Sequence, residues 1–133
     1  MTDELEFHHI GVATSDIDAT GARYQALGYS QGPTIHDPLQ NIRISFLTHP
    51  SMPMVELLSP CDDGSPVVRI LDSCGTTPYH ICYQTPDIGA SIKDFKRQRY
   101  VVVSRPKVAC AIEDRRVAFL FHPEMGLVEL IEK

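Results

Sequence analysis

A tandem repeat is the feature that most constrains this chain. Residues 9–29 align without gaps with residues 80–100, and seven of the 21 aligned pairs are identical. Residues 43–60 align in the same way with residues 116–133, and nine of those 18 pairs are identical. Self-similarity over such lengths is typical of a duplicated structural unit. We therefore expect two copies of one motif.

The length of the chain limits how these copies can fold. Its 133 residues fit one domain, and two copies of about 60 residues would each be marginal alone. At 43% hydrophobic and 22% charged residues, the composition is that of a globular protein. We predict a single domain over residues 1–133, with module one at 6–60, a linker helix within 61–77 and module two at 78–133.

The local pattern predicts the same order of elements in each copy: strand, helix, then three strands. Asp16 is the expected N-cap of a helix over 17–27 that ends at Gly28, and Asp87 leads into a helix at 88–98. The linker suggests a helix with Ser65 as N-cap and Gly75 just past its end. The predicted strands are 6–14, 29–35, 42–48, 54–59, 79–85, 100–104, 115–121 and 127–132, and Arg105-Pro106 is expected to break the sixth.

Charge and cysteine content exclude several classes of protein. The net charge is −5 and no long basic run occurs, which argues against nucleic acid as a partner. No apolar stretch reaches the roughly 18 residues of a membrane span, so no membrane is expected. The acidic start has no secretory pattern. The four cysteines lack C-x-x-C spacing, which indicates reduced thiols in a cytoplasmic protein.

The repeat also places four side chains of metal-binding type at matching positions. His9 and His80 lie 71 residues apart, and Glu56 and Glu129 lie 73 apart. Two imidazoles and two carboxylates suit one divalent Zn, Ni, Co, Mn or Fe ion. The alternative is that these are ordinary strand histidines and that the glutamates face solvent. A second repeated pair, His49 and His122, precedes proline in both copies and is better explained by turns.

Five segments carry a resemblance to a known family: HHIGVATSDI, VELLSP, SPVVRILDSCG, YHICYQTPDI and RVAFLFHPEMGLVELIEK. They resemble the vicinal oxygen chelate (glyoxalase/bleomycin resistance/dioxygenase) superfamily, and most of all its methylmalonyl-CoA epimerase-like branch. The resemblance implies an α+β fold in which two tandem βαβββ modules form a curled mixed sheet around a central metal and substrate cavity. It places the metal on His9, Glu56, His80 and Glu129, and it implies a homodimer.

The resemblance implies a metal-dependent epimerase or isomerase that acts on a carbon next to a carbonyl through a metal-stabilised enolate. The substrate would be a small molecule such as an acyl-CoA or another acyl thioester, and Glu129 or Asp37 would move the proton. Epimerases of this branch carry a glutamate before the third strand, where this chain has Leu39 and Gln40.

Two other functions stay open at this point. One is a glyoxalase I-type lyase or isomerase, whose His-Glu-His-Glu ligand set matches. The other is a non-catalytic binding protein that sequesters a small molecule such as an antibiotic. A dioxygenase is disfavoured because its facial triad uses two histidines and one carboxylate.

Overall fold

The computed structural model describes residues 4–133 and divides into two compact units. The first unit is His9–Tyr79, and the second combines residues 4–8 with residues 80–133. Within the described residues the chain forms three helices and nine strands, and its strand pairs are both parallel and antiparallel. The predicted α+β class is therefore confirmed. The module boundaries given above stay a prediction.

In the first unit, β5 (Val55–Pro60) is the central strand. It pairs in parallel with β1 (Glu6–Ala13) and antiparallel with β4 (Ile42–Thr48). Strand β4 also pairs with two short strands, β2 (Ser30–Gln31) and β3 (Ile35–Asp37). The elements that belong to this unit, or begin just before it, are β1 (Glu6–Ala13), α1 (Ile17–Gln25), β2 (Ser30–Gln31), β3 (Ile35–Asp37), β4 (Ile42–Thr48), β5 (Val55–Pro60) and α2 (Val67–Cys74).

In the second unit, β9 (Gly126–Glu132) takes the place that β5 has in the first. It pairs in parallel with β6 (Thr77–Thr85) and antiparallel with β8 (Arg115–His122). Strand β8 also pairs antiparallel with β7 (Val101–Ala109). The elements of this unit are β6 (Thr77–Thr85, from His80 onward), α3 (Ile88–Arg97), β7 (Val101–Ala109), a short 3-10 turn (Cys110–Ile112), β8 (Arg115–His122) and β9 (Gly126–Glu132).

The same capping arrangement begins α1 and α3. The Asp16 carboxylate accepts a hydrogen bond from the Ala19 backbone N–H at 3.0 Å, and the Asp87 carboxylate accepts one from the Ala90 N–H at 3.0 Å. These bonds satisfy N–H groups that a helix start leaves without intrahelical partners. Both predicted N-caps are confirmed. In each copy, the cap fixes the point at which the chain leaves the first strand and begins the helix.

Each unit has its own apolar core, which anchors its strands. Val12, Leu47 and Leu57 lie in the core of the first unit with α1 residue Ile17. The core of the second unit packs α3 against alternate residues of β8 and β9. These core residues are Ile88, Phe95, Ala118, Leu120, Val128 and Leu130. Because side chains alternate along a strand, the other face of β8 and β9 is left for Phe119 and Glu129.

Three local predictions need correction. The strand expected at 29–35 is two short strands, because Gly32-Pro33 interrupts it. Strand β7 runs unbroken through Pro106, although its pairing register shifts on both sides of Ser104. Helix α2 has Pro66 as its N-cap, one residue later than expected, while it ends at Gly75 as predicted.

No helix within residues 4–133 combines the length and the apolar character needed to cross a membrane. The homodimer and the cytoplasmic location stay predictions.

Acid should weaken the second unit through Glu132. Its carboxylate accepts a hydrogen bond from the Ile88 N–H at the start of α3 and two from the Arg116 Nη2 and Nε groups. The hydrogen bond from the Ile88 N–H is the main reason why the pKa of Glu132 lies below its usual value of 4.5, and Arg116 lowers it further. Because the pKa of Glu132 is lower in the folded protein than in the unfolded chain, its ionised carboxylate stabilises the fold at pH values above the unfolded pKa. This stabilisation is lost as the pH falls through the folded pKa.

We therefore expect Glu132→Gln to lower the free energy of unfolding at pH 7. The difference from the wild type should shrink as pH falls through the lowered pKa of Glu132, because the wild-type carboxyl then becomes protonated. Urea unfolding at pH 7 and at an acidic pH measures this. Glu124→Gln, in an exposed turn, is the control and should stay within about 0.5 kcal/mol of the wild type. An equal deficit for Glu132→Gln at both pH values would show that ionisation of Glu132 does not matter.

Candidate metal centre

In the first unit, a buried histidine faces a buried glutamate. Glu56 lies on the central strand β5 beside Gly11 of β1, and His9 lies two residues before Gly11, on the same face of β1. The His9 Nε2 atom is 3.4 Å from the Glu56 Oε1 atom. Their side chains are 0% and 3% exposed, respectively. The strand order thus brings together two residues that are 47 positions apart in the sequence.

The second unit repeats this pair on the equivalent strands. Glu129 lies on β9 beside Cys82 of β6, and His80 lies two residues before Cys82. The His80 Nε2 atom is 3.1 Å from the Glu129 Oε1 atom, and both side chains are buried. The alternative in which the two repeated glutamates face solvent is therefore wrong.

Each pair is held by a phenylalanine that the sequence reasoning did not single out. Phe46 of β4 is the cross-strand partner of Glu56 and meets the His9 ring edge-on, with centroids 6.0 Å apart. Phe119 of β8 stands in the same relation to Glu129 and His80, with a centroid distance of 5.2 Å. Such edge-to-face contacts fix the orientation of an imidazole ring. The signal was available, because the repeat aligns Phe46 with Phe119.

The donor atoms of each pair fit a transition-metal ion. A carboxylate in an apolar interior is costly unless a proton, a cation or a metal compensates it. Each unit supplies one imidazole nitrogen and one carboxylate oxygen that point at each other. Imidazole suits Zn, Ni, Co and Fe, and a carboxylate adds affinity for Mn. The residues present in each unit therefore fit the predicted ion.

Comparison with known proteins identifies the family. The profile described as Glyoxalase/Bleomycin resistance protein/Dioxygenase superfamily matches residues 8–119. The chain belongs to this superfamily. The match includes the two histidines and Glu56, and it ends before Glu129.

Several relatives of the chain are epimerases. The ethylmalonyl-CoA/methylmalonyl-CoA epimerase of Cereibacter sphaeroides is 29% identical over 119 residues, which are 88% of this chain and 87% of that protein. The structure of Streptomyces coelicolor methylmalonyl-CoA epimerase with 2-nitronate-propionyl-CoA has a TM-score of 0.82 and 27% identity, covering 98% of this chain and 96% of its own.

The structure of methylmalonyl-CoA epimerase from Mycobacterium tuberculosis has a TM-score of 0.84 at 24% identity, covering 99% of this chain and 91% of its own. This similarity confirms the superfamily fold. By sequence and by structure, this chain is close to the methylmalonyl-CoA epimerases of the superfamily, as predicted.

Asp37, the other predicted proton-transfer residue, lies at the turn between β3 and β4. It is fully buried, and its carboxylate accepts hydrogen bonds from the backbone N–H groups of Leu39 and Gln40 and from the Gln40 side chain. The Leu39 side chain is 63% exposed. These contacts give Asp37 a clear role in holding the turn. Its catalytic role stays a prediction.

The second repeated pair of histidines belongs to turns, as expected. The Nδ1 atom of His49 accepts the Ser51 N–H, and that of His122 accepts the Glu124 N–H. The two rings also pack on Tyr29 and Tyr100, with centroids 5.2 and 5.0 Å apart. Both histidines therefore close hairpins, which explains why they repeat without a part in the metal-binding pairs.

Proposed function

We propose that the chain is a metal-dependent epimerase or isomerase that acts on an acyl-CoA thioester at the carbon next to its carbonyl. The observation that carries the proposal is the buried histidine–glutamate pair, which occurs in both units at matching positions of the repeat. The choice of substrate class is supported by relatives whose names include methylmalonyl-CoA epimerase.

His9, Glu56, His80 and Glu129 are the proposed ligands of one divalent ion, because the repeat places them at matching positions and each pair offers an imidazole nitrogen and a carboxylate oxygen. When bound, the ion supplies a Lewis acid that polarises the substrate carbonyl and stabilises an enolate. Phe46 and Phe119 keep the two imidazole rings oriented through their edge-on contacts. Such support is what a metal-binding residue needs to keep its orientation.

Glu129 is the proposed proton carrier at the α-carbon. It is buried beside His80, and general bases act best when they are positioned and screened from water. Asp37 is the weaker candidate, because both of its carboxylate oxygens already accept hydrogen bonds at the β3–β4 turn. Epimerisation needs proton transfer on both faces of the carbon, so a group other than Glu129 also takes part.

A glyoxalase I-type reaction is the second candidate. It is favoured by the presence of a glutamate, rather than an amide or a smaller acid, at both carboxylate positions. In this reaction, too, a proton moves on a carbon next to a carbonyl, so the same pairs of residues would serve it. The substrate would then be a hemithioacetal in place of an acyl-CoA.

Proton exchange tests the proposal directly. Metal-loaded protein in D₂O should place deuterium at C2 of methylmalonyl-CoA and interconvert its epimers, both followed by NMR and chiral chromatography. Turnover of the methylglyoxal–glutathione hemithioacetal, with no exchange on the CoA thioester, would select the glyoxalase I-type reaction. Binding of either compound without any exchange would reject both enzymes in favour of a binding protein.

A further inference from the structure

Strand β7 is the edge strand of the second unit and carries an unusual set of side chains. It follows β8 at the end of the strand order and has no other partner strand within residues 4–133. Val101 and Val103 are 64% and 61% exposed. Arg105 and Lys107, which follow them, are also exposed. The strand thus passes from an apolar to a cationic surface within seven residues.

The strand register connects β7 to Glu129. Phe119 of β8 is the partner of Glu129 on one side and of Ser104 of β7 on the other. Paired residues of neighbouring strands point to the same face of a sheet. Ser104 and Glu129 therefore lie in one row on one face, two strand spacings apart. That separation is about 10 Å.

The residue pairs on either side of this row determine which side chains the Glu129 face presents. Phe121 pairs with Val101 in the row on one side, and Val117 pairs with Lys107 in the row on the other. Phe121 is 42% exposed. The face that carries Glu129 therefore ends, at the edge strand, in an apolar residue, a hydroxyl and a cation. Helix α3 packs on the opposite face, through Ala118 and Leu120.

The two cations of β7 have no ion-pair partner in the part of the chain that the structure describes. Arg116 and Lys133, by contrast, pair with Glu132 and Glu6. Positive charge on an edge strand opposes pairing with a further strand, so these residues do not favour a second copy of the chain along β7. In a protein of net charge −5, they provide a local site for an anion.

We propose that Arg105 and Lys107 bind the phosphate groups of the CoA portion of the substrate. This inference rests on the proposed function, which places a CoA thioester at Glu129. The pantetheine arm is longer than the distance from Glu129 to the strand edge, and Val101 and Phe121 offer it an apolar surface. Charge complementarity selects this occupant, because the phosphates are the anionic part of CoA and the pantetheine arm is uncharged.

CoA itself is the probe, because it binds without reacting. In calorimetry with the metal-loaded full chain, Arg105→Glu/Lys107→Glu should weaken CoA binding by about tenfold for each reversed charge, and by less at high salt. Lys93→Glu makes the same type of change on α3, which packs on the opposite face, and should leave binding unchanged. Binding of CoA by the double variant within twofold of the wild type would overturn the proposal.

Pantetheine, which lacks the phosphates, separates charge recognition from damage to the fold. Its binding should be the same in the wild type and in the double variant, and an equal loss for pantetheine and CoA would overturn the phosphate site. Inorganic triphosphate that binds equally to the wild type and to the double variant would overturn it as well. If the protein binds CoA in a charge-dependent way but catalyses no proton exchange, only the proposed function is rejected. If it catalyses exchange but the charge reversals leave its affinity for CoA unchanged, only this inference is rejected.

Discussion

His80→Ala is expected to abolish tight binding of the divalent ion and to lower the rate of proton exchange by about a hundredfold or more. The variant removes one of four proposed ligands and leaves Glu129 buried without its imidazole neighbour. Loss of supporting groups around a metal already costs 10- to 100-fold in affinity, so loss of a ligand should cost at least about a hundredfold. Metal content by mass spectrometry and metal-dependent thermal stability give two readouts that are independent of activity.

His122→Ala is the matched control for this experiment. The repeat aligns His122 with His49, and both close hairpin turns, outside the histidine–glutamate pairs. This variant should lose some stability and keep its metal. Removing the ion from the wild-type protein with a chelator tests the metal centre without any mutation. The melting temperature should fall on removal of the ion and should recover when the ion is returned. Equal metal affinity in His80→Ala and the wild type would remove His80 from the metal centre.

Local signals predicted the elements that depend on local chemistry. Asp16 and Asp87 cap their helices because an aspartate side chain can reach the third N–H beyond it without help from distant residues. The span of β4, predicted at 42–48, also agrees with the structure. The two histidine–glutamate pairs could be inferred from the repeat, because a duplicated pattern reports equivalent positions even when their contacts are far apart in sequence.

The features that the sequence did not predict depend on where a strand lies in its sheet. Pro106 was expected to break a strand, yet β7 continues through it. An edge strand has one side without partners, so a missing N–H there removes no necessary hydrogen bond. The contacts of Phe46 and Phe119 were missed for a related reason. Their role follows from cross-strand register, which no single stretch of the sequence contains.

Glu129→Gln and Glu56→Gln should separate proton transfer from metal binding. The repeat makes the two glutamates equivalent, and both lie buried beside a histidine. A glutamine oxygen can still act as a metal ligand, but an amide cannot accept a proton from carbon. Since a general base contributes about 10² to 10⁴ in rate, we expect Glu129→Gln to lose activity on that scale. Glu56→Gln should lose less than about tenfold.

Both variants should retain the ion, and metal analysis must accompany the kinetics. Asp37→Asn completes the comparison. It should lower the free energy of unfolding by about 1–3 kcal/mol, because its turn hydrogen bonds weaken, while the folded protein keeps its rate. Equal losses of rate for the two glutamate variants would mean that Glu129 has no special role in proton transfer. A loss in Asp37→Asn as large as that in Glu129→Gln would assign the proton transfer to Asp37, and would make the β3–β4 turn part of the active site.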